Sequence, residues 1–579
     1  MTNSSLQTPG ASAETTSQQT DHRRQDTPQE GDNVIAIDAN DQSQIQLPLQ
    51  SNEILSWTGV LYDLLKQAGP NALRGSVVAT RYVAIAYFLG RIDERLLAPN
   101  TLVSLVESLL VVLGSRSLNS VSAEIGRLNG ATQLDGIGAV GALGAVLRQG
   151  SVLAAAISIP ICAMYYFANH RFLELTGQHE FAVDEARKYF QAAMPGFLAL
   201  MLFTVQQRFF QGIKQSTAAL YSSALHSALI VGLSYPFMFG KLGLPQLGLT
   251  GAGYAFTAAT WLTLISHTVY LLLAKSLSQY KINEIGDTFN LTKIIQLARV
   301  GIPSGIQSAM ENAANLVSSL FLGHLGGLNA LTADQVALQV AQVVSISNNG
   351  LGGAINPCVS NARGAKKYTD LRRYGYVGML LGTVLPTLAF SVLLPLHQSF
   401  THIFIDTNNP KNAAVVDLAK YFLLLEPLRQ LATGWQATTS SALQGLTDTK
   451  FPMIATIACA FFFNLALLFS LTASKEFKNN PTNVTTSANE NNNTNLEILY
   501  ALKAVGFFMA AIFNLGRFVM KSHEVSDADK AEIKDKSLRE RFCRGVRLLC
   551  SSAPRVDAAL RVNDADANNL YAPLMSGAR

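Results

Sequence analysis

Residues 301–326 read GIPSGIQSAMENAANLVSSLFLGHLG, and this stretch indicates the fold class. It is mainly apolar over the ~20 residues that a helix needs to cross the hydrocarbon core of a membrane. It nevertheless carries one carboxylate, Glu311. An acid at the centre of a membrane costs ~2.5–3.5 kcal/mol on insertion scales, so it needs a partner or a function. The stretch therefore predicts a spanning helix with a candidate functional residue.

The rest of the chain has the same character. Its 579 residues are 49% hydrophobic and only 14% charged, with a mean hydropathy of +0.22. A soluble globular protein has about 25% charged residues. The pattern predicts an all-α polytopic membrane protein with twelve transmembrane helices, near 70–90, 100–121, 147–168, 189–209, 216–239, 248–274, 300–323, 331–357, 376–397, 415–437, 451–473 and 496–519.

An internal repeat relates the first six spans to the last six. Pro70 and Pro303 are 233 residues apart, and so are the Phe-Leu-Gly triplets at 88–90 and 321–323. With six spans a copy, both copies cross the membrane in the same direction, and an axis along the membrane normal relates them. The sequence therefore predicts two pseudo-symmetric six-helix lobes.

The domain boundaries follow from where the polar segments lie. We predict a disordered N-terminal tail over 1–54, a first lobe over 55–280, a second lobe over 281–521 and a C-terminal tail over 522–579. Basic residues concentrate in the loops between spans six and seven and between spans eight and nine. By the positive-inside rule, both tails are then cytoplasmic, and we expect a plasma-membrane location.

Four short motifs in this order resemble the multidrug and toxic compound extrusion (MATE) family of cation-coupled antiporters. They are Gly301-Ile302-Pro303 followed by Glu311, Asn361-Ala362-Arg363-Gly364-Ala365, Leu443-Gln444-Gly445, and the Gly-rich start of span six at 247–253. The resemblance covers about residues 55–520. It implies two six-helix lobes around an outward-opening cleft, and exchange of organic cations or other amphiphiles for H⁺ or Na⁺.

Glu311 occupies the position of a family glutamate and is the predicted coupling residue. A low dielectric favours its protonated form, so a proton and a cationic substrate would compete for one negative site. The alternative is a glutamate that bonds Asn312 or Asn315 only to hold helices together. Three other positions where relatives carry acids hold Gln339, Thr433 and Ile85 here. A single carboxylate favours H⁺ over Na⁺, because a hard cation prefers several oxygen ligands.

Glu426 is a second candidate acid with two open interpretations. It either replaces a missing family carboxylate or forms a self-neutralising pair with Arg429, three residues later. The predicted substrate cavity comprises Asn312, Asn315, Gln339, Glu426, Gln430 and Thr433.

The first lobe carries an unusual charge cluster, Arg74, Arg81 and Glu107, inside its first two spans. An Arg81–Glu107 ion pair that joins the two helices is the favoured interpretation. The other is that the arginines offer positive charge to an anionic group of a substrate or lipid.

Other classes of protein find less support. No catalytic motif, metal-binding motif or ATP-binding module is present, so we expect no enzyme activity and no cofactor beyond the coupling ion. The net charge of +5 is too small and too dispersed for nucleic acid. We predict a monomer whose partners are a small-molecule substrate and the lipid bilayer. Two alternatives are a lipid-linked sugar flippase or polysaccharide exporter of the same superfamily, and a membrane scaffold without transport.

Overall fold

The computed structural model describes residues 55–528, apart from 136, 168–179, 242, 244, 283–289, 394, 396–412, 474–497 and 499. The predicted N-terminal tail and most of the predicted C-terminal tail lie outside the described residues. In the described ranges all regular elements are helical, which confirms the all-α prediction. The helices are α1 (Trp57–Ile92), α2 (Leu97–Ser117), α3 (Asn119–Asp135), α4 (Ile137–Phe167), α5 (Glu180–Gly212), α6 (Ser216–Phe239), α7 (Gly248–Leu273), α8 (Leu291–Gly364), α9 (Tyr368–Leu393), α10 (Ala413–Gly445), α11 (Lys450–Ala455), the π-helical turn Thr456–Phe463, α12 (Asn464–Ala473) and α13 (Tyr500–Ala528).

Eight segments of the described chain are helical, long and apolar enough to cross a membrane. The predicted spans at 70–90, 300–323, 331–357 and 415–437 are also helical but fall outside these eight. All four carry charged side chains, Glu311 and Asp334 among them. Such a helix remains stable in a bilayer when its polar side faces protein or a water-filled cleft.

Helix α8 contains two predicted spans joined end to end. Its 74 residues would measure ~110 Å if straight, against ~30 Å for the hydrocarbon core. Near its start, Gln307 donates to Ser440, and further along Asn315 accepts from Arg429. Numbers rise along α8 while they fall along α10, so this first arm is antiparallel to α10.

The second arm of α8 runs the other way. Ser345 donates to Gln430, and Gly352 packs against Ser441. Numbers now rise together, so this arm is parallel to α10 and antiparallel to the first arm. The chain therefore reverses between residues 315 and 345, and α8 makes two crossings, as the spans at 300–323 and 331–357 predict.

The first half has the same arrangement. Helix α1 is antiparallel to α5, because Gln67 donates to the carbonyl of Lys214 while Arg74 donates to Gln207. Helix α2 is parallel to α5, because Tyr189 bonds Glu107 and Arg208 bonds the carbonyl of Ser115. In each half, therefore, two antiparallel arms pack against one central helix.

The two halves meet through equivalent residues. A Cβ on Gly130 would collide with the carbonyl oxygen of Asn361, and one on Gly364 would collide with that of Arg127. Gly130 and Gly364 are 234 residues apart, and so are Arg127 and Asn361. These reciprocal contacts place a pseudo-twofold axis between α3 and the end of α8, where small residues let the backbones approach closely.

Packing between the halves is concentrated at the end of the bundle where α1 begins. Val60, Leu64 and Ala68 are buried with second-half residues such as Leu351 and Leu443. Further from this end, the buried cluster around Leu322 draws only on the second half. In the described residues the halves thus share a core at one end and have separate cores beyond it.

Candidate functional site

Glu311 lies half-buried on the first arm of α8, between two glutamine side chains. Its Oε1 accepts a hydrogen bond of 2.6 Å from Gln436 on α10 and one of 3.0 Å from Gln307, one helical turn earlier. Both donors are neutral amides. The carboxyl group can therefore gain or lose a proton without breaking an ion pair.

The two glutamines are themselves held in place. Gln307 Nε2 lies 2.7 Å from the Ser440 hydroxyl, and Gln436 Nε2 lies 3.0 Å from the Thr456 hydroxyl. Thr456 begins the π-helical turn, a wider local geometry that is frequent at functional sites. Side chains from three helical segments therefore orient Glu311.

The sequence-based partners of Glu311 were different. Asn312 is exposed, and Asn315 accepts instead from Arg429 Nη1 at 3.4 Å. Gln339 is also exposed. Among the hydrogen bonds of the described residues, Glu311 uses the glutamines and neither asparagine, because Asn312 is exposed and Asn315 is bonded to Arg429.

Glu426 forms the i,i+3 pair that its spacing allows. Arg429 Nη2 lies 2.5 Å from Glu426 Oε1, and both side chains are almost completely buried. Tyr500 donates to the other oxygen at 2.5 Å, and Gln430 Nε2 lies 3.0 Å from Oε1. Among the described residues, Thr433 donates to the carbonyl of Gln430 and has no bond to Glu426. Glu426 is thus neutralised in place, and its surroundings differ sharply from those of Glu311.

A second buried ion pair escaped the sequence analysis. Lys503 Nζ lies 2.6 Å from Asp334 Oδ1, and their side chains are 3% and 0% exposed. Each residue lies in a predicted span, so opposite charges at membrane depth were the available signal. Together with Glu426 and Arg429, this pair forms a neutral network that ties α13 to α8 and α10.

In the first half, Arg81 and Glu107 line one small polar cavity without forming the direct pair we predicted. Arg81 donates to Tyr82 Oη at 3.0 Å, and Glu107 accepts from Tyr189 at 3.2 Å. In the described part of the chain no ion pair within 4.0 Å joins them. Their charges still attract each other across the cavity. Two tyrosine hydroxyls therefore take the place of the expected contact.

Arg74 shows the repeat at the level of side chains. It donates to Gln207 at 3.2 Å, while Gln307 bonds Ser440 at 2.7 Å. Both pairs are 133 residues apart, and each member of the second follows its counterpart by 233. An arginine therefore occupies, in the first half, the position of the glutamine that holds Glu311.

In the part of the chain that the structure describes, no group of three or more His, Cys, Asp or Glu side chains is placed to hold a metal ion.

A family comparison matches both repeats in the same register. The model of the MatE family covers residues 70–236 and again 303–469, more than half of the chain. This chain belongs to the MatE family. The second match begins 233 residues after the first, which agrees with the repeat read from the sequence.

Bacterial relatives of this MatE chain are named as probable multidrug resistance proteins NorM. The protein from Mannheimia succiniciproducens is 26% identical over 363 residues, which are 62% of this chain and 75% of that protein. The one from Deinococcus radiodurans is 27% identical over 422 residues, or 71% and 88% of the two chains.

Solved structures share the fold at lower sequence identity. The eukaryotic MATE transporter AtDTX14 superposes with a TM-score of 0.67 at 19% identity, over 82% of this chain and 99% of that one. A MOP superfamily transporter from Pyrococcus furiosus gives 0.69 at 17% identity, with the same coverage. The MatE chain is thus an integral membrane transporter with the MATE fold.

Sequence reasoning missed the two side chains of this MatE protein that hold Glu311. Gln307 precedes Glu311 by four residues, a spacing at which side chains on one helix face meet. Gln436 offered no such signal, because only the packing of α10 against α8 brings it to the site.

Proposed function

We propose that this MatE chain is a secondary antiporter that exports amphiphilic organic cations in exchange for protons by alternating access. Glu311 is the group that binds the proton and the substrate in turn. When it is ionised, it offers a negative charge to a cationic substrate; when protonated, it does not. The inward proton gradient then supplies the free energy for export.

One observation carries this proposal: Glu311 is held by two neutral amides, whereas Glu426 and Asp334 are held by cations. Neutralising a carboxylate that is paired with a buried cation costs ~3–5 kcal/mol of stability, because the cation is left buried without its partner. A carboxyl group between amides has no such pair to break. Of these three acids, Glu311 is the one suited to change its charge in every cycle.

A proton suits this arrangement better than Na⁺. Both glutamines present N–H donors to Oε1 of Glu311. Donors stabilise a carboxylate but do not ligate a metal cation, which requires several oxygen atoms. The proposed coupling ion is therefore H⁺.

The proposed topology places both termini in the cytoplasm of a cell whose plasma membrane contains the protein as a monomer. Support comes from the basic loops that follow α7 and α8. The end at which the halves share a core is then the cytoplasmic end.

A second candidate is a flippase or exporter of lipid-linked sugars. The observation in its favour is the positive charge of Arg74 and Arg81 in the first half. The placement of Glu311 between amides supports the antiporter instead, because an ionised carboxylate at this position would repel the anionic head group of a lipid-linked sugar.

The test is ethidium transport by the full chain in proteoliposomes under an imposed pH or Na⁺ gradient. We expect wild type to respond to the pH gradient, and Glu311→Gln to lose at least nine-tenths of that response. Glu180→Gln, an exposed acid at the start of α5, is the matched control and should transport like wild type.

Two results would overturn parts of the proposal. If Glu311→Gln responds to pH as wild type does, Glu311 is not the coupling group. If neither gradient moves ethidium in the wild type, the protein does not export this organic cation and the antiporter proposal fails for it. The flippase candidate is then tested with a fluorescent lipid.

A further inference from the structure

Three arginines of the first half converge where α1, α2 and α5 approach α8. Arg74 on α1 donates to Gln207, and the next residue, Arg208, donates to the carbonyl of Ser115 at 3.3 Å. Ser115 directly precedes Arg116 on α2. Arg208 is close enough to the other two guanidinium groups for their charges to repel it. We call Arg74, Arg116 and Arg208 the arginine trio.

The hydrogen-bond partners of the trio are neutral. Arg208 donates to Gln211 at 2.8 Å, and Arg116 donates to Asn349 across the interface at 2.7 Å. Among the described residues no acid lies within 4.0 Å of a trio guanidinium. The contrast with Arg429, which Glu426 neutralises, is complete.

Arg208 has a hydrogen-bond donor that no acceptor satisfies. The residue is 8% exposed, and its Nε–H is buried without an acceptor. A buried guanidinium with an unused donor loses hydration that neutral partners do not replace. Arg74 and Arg116 are only half-buried, so the trio remains open to a ligand from the space between the halves.

The acid whose charge reaches the trio is Glu311, which attracts Arg116. Through Arg116, the trio therefore meets one carboxylate that can itself become neutral. This site has two poles: a negative one at Glu311 on the second half and a stronger positive one on the first. A cation alone would satisfy only the weaker pole.

We propose that the arginine trio binds an anionic group of the substrate, a carboxylate or phosphate, while Glu311 binds its cationic centre. Guanidinium groups bind both kinds of oxyanion through paired N–H donors. The substrate class is then zwitterionic amphiphiles rather than simple organic cations. This proposal rests on the proposed function, because the proton displaces only the cationic centre from Glu311.

Two dyes separate the two poles. Rhodamine B carries a cationic xanthene and a free carboxylate, and rhodamine B ethyl ester is the same molecule with that carboxylate blocked. Binding of each dye to the full-length protein in detergent is measured by fluorescence anisotropy. The variants are Arg116→Gln and Arg208→Gln, with Arg127→Gln as the matched control, because Glu124 already neutralises that arginine.

We expect wild type to bind the acid at least tenfold more tightly than the ester, since a charge-assisted hydrogen bond accounts for about that factor. Arg116→Gln and Arg208→Gln should lose most of this preference, and Arg127→Gln should keep it. If Arg208→Gln fails to fold, the half-buried Arg116 still decides the matter. The proposal is overturned if wild type does not prefer the acid, or if both trio variants retain the preference.

Failure of this proposal differs visibly from failure of the proposed function. The ester is a pure cation, so its displacement by protons tests Glu311 alone. If protons displace the ester only when Glu311 is present, but no acid preference exists, the antiporter stands and the trio does not. If wild type prefers the acid but protons still displace the ester from Glu311→Gln, the trio binds the anionic group and the coupling role of Glu311 fails.

Discussion

Arg116 donates a hydrogen bond of 2.7 Å to Asn349, and these residues are 233 positions apart, the offset of the internal repeat. Arg116 in the first half and Asn349 in the second are therefore equivalent positions of the repeat. Equivalent residues can touch only beside the axis that relates them. At this point the halves have diverged from each other in charge, with a cation on one side and an amide on the other.

The same divergence extends along the neighbouring helices. Arg74 in the first half corresponds to Gln307 in the second, where the amide holds Glu311. Two helical arms of the same shape thus present positive charge from one half and a carboxylate between amides from the other. The asymmetry is a property of side chains on a nearly symmetric backbone.

The glycine contact between the halves predicts a position-specific loss of stability. Gly364→Ala adds a Cβ that meets the backbone of Arg127 and Ala131, so the helices must separate. We expect the free energy of unfolding to fall by roughly 1–3 kcal/mol. Thermal denaturation in detergent, followed by size-exclusion chromatography, measures the change.

Gly232→Ala is the control for that experiment. It lies inside α6 with no atom within 4 Å of an added Cβ, so it should be neutral or stabilising by up to ~1 kcal/mol through helix propensity. Equal effects of the two substitutions would show that the close approach at Gly364 is unimportant.

The buried Glu426–Arg429 pair predicts damage to stability without damage to coupling. Glu426→Gln leaves the Arg429 charge buried without its partner, at a cost of ~3–5 kcal/mol. The double variant with Arg429→Met should cost less than the single one. In proteoliposomes, the protein that does fold should keep the pH response of ethidium transport. A stable Glu426→Gln protein without that response would transfer the coupling role to Glu426.

The contact between Asp63 and Tyr374 predicts an effect on access to the end at which the two halves share a core. Tyr374 on α9 donates to Asp63 on α1 at 2.6 Å, and this hydrogen bond joins the halves. Cys358 on α8 is fully buried at that end. Tyr374→Phe should raise the rate of Cys358 alkylation by N-ethylmaleimide about tenfold, because a hydrogen bond to a charged acceptor is lost.

The control for this measurement is Tyr376→Phe, two residues along on the exposed side of α9. It should alkylate at the wild-type rate in the same background, with the other cysteines replaced. An unchanged rate in Tyr374→Phe would mean that this hydrogen bond does not hold that end closed.

Asp63 also predicts how stability depends on pH. Burial alone would raise the pKa of Asp63, but the charge of Lys214 and hydrogen bonds from Lys214 and Tyr374 lower it below 3.8. A lowered pKa contributes stability above the unfolded value and loses it as the pH falls through the folded value. Asp63→Asn should therefore lower the melting temperature equally at pH 5 and pH 8. A difference that disappears at pH 5 would contradict the lowered pKa.

Much of the architecture was predictable because membrane insertion imposes simple demands on a sequence. Apart from Leu118, Ala274 and Pro395, the described residues of all twelve predicted spans are helical, and the two matches to the MatE family model reproduce the 233-residue register. Even the single long helix α8 contains both predicted crossings. Length, hydropathy and periodicity are local properties, so they can be read along the chain.

The partners within the site were less predictable. The sequence placed Glu311 on a spanning helix but suggested asparagine partners, whereas Gln307 and Gln436 hold it. The predicted Arg81–Glu107 pair is replaced by contacts with two tyrosines. The Glu426–Arg429 pair was foreseeable, because three residues on one helix determine its geometry.

The amino-acid sequence alone specifies a helical membrane transporter with two repeated halves and an acid in its seventh span. Which acids are neutralised by cations, and which one is not, depends on the tertiary structure. It also brought Arg208 beside Arg74 and Arg116. The physical reason is that hydropathy acts on each segment alone, whereas the charge state of a buried group depends on neighbours that arrive from distant parts of the chain.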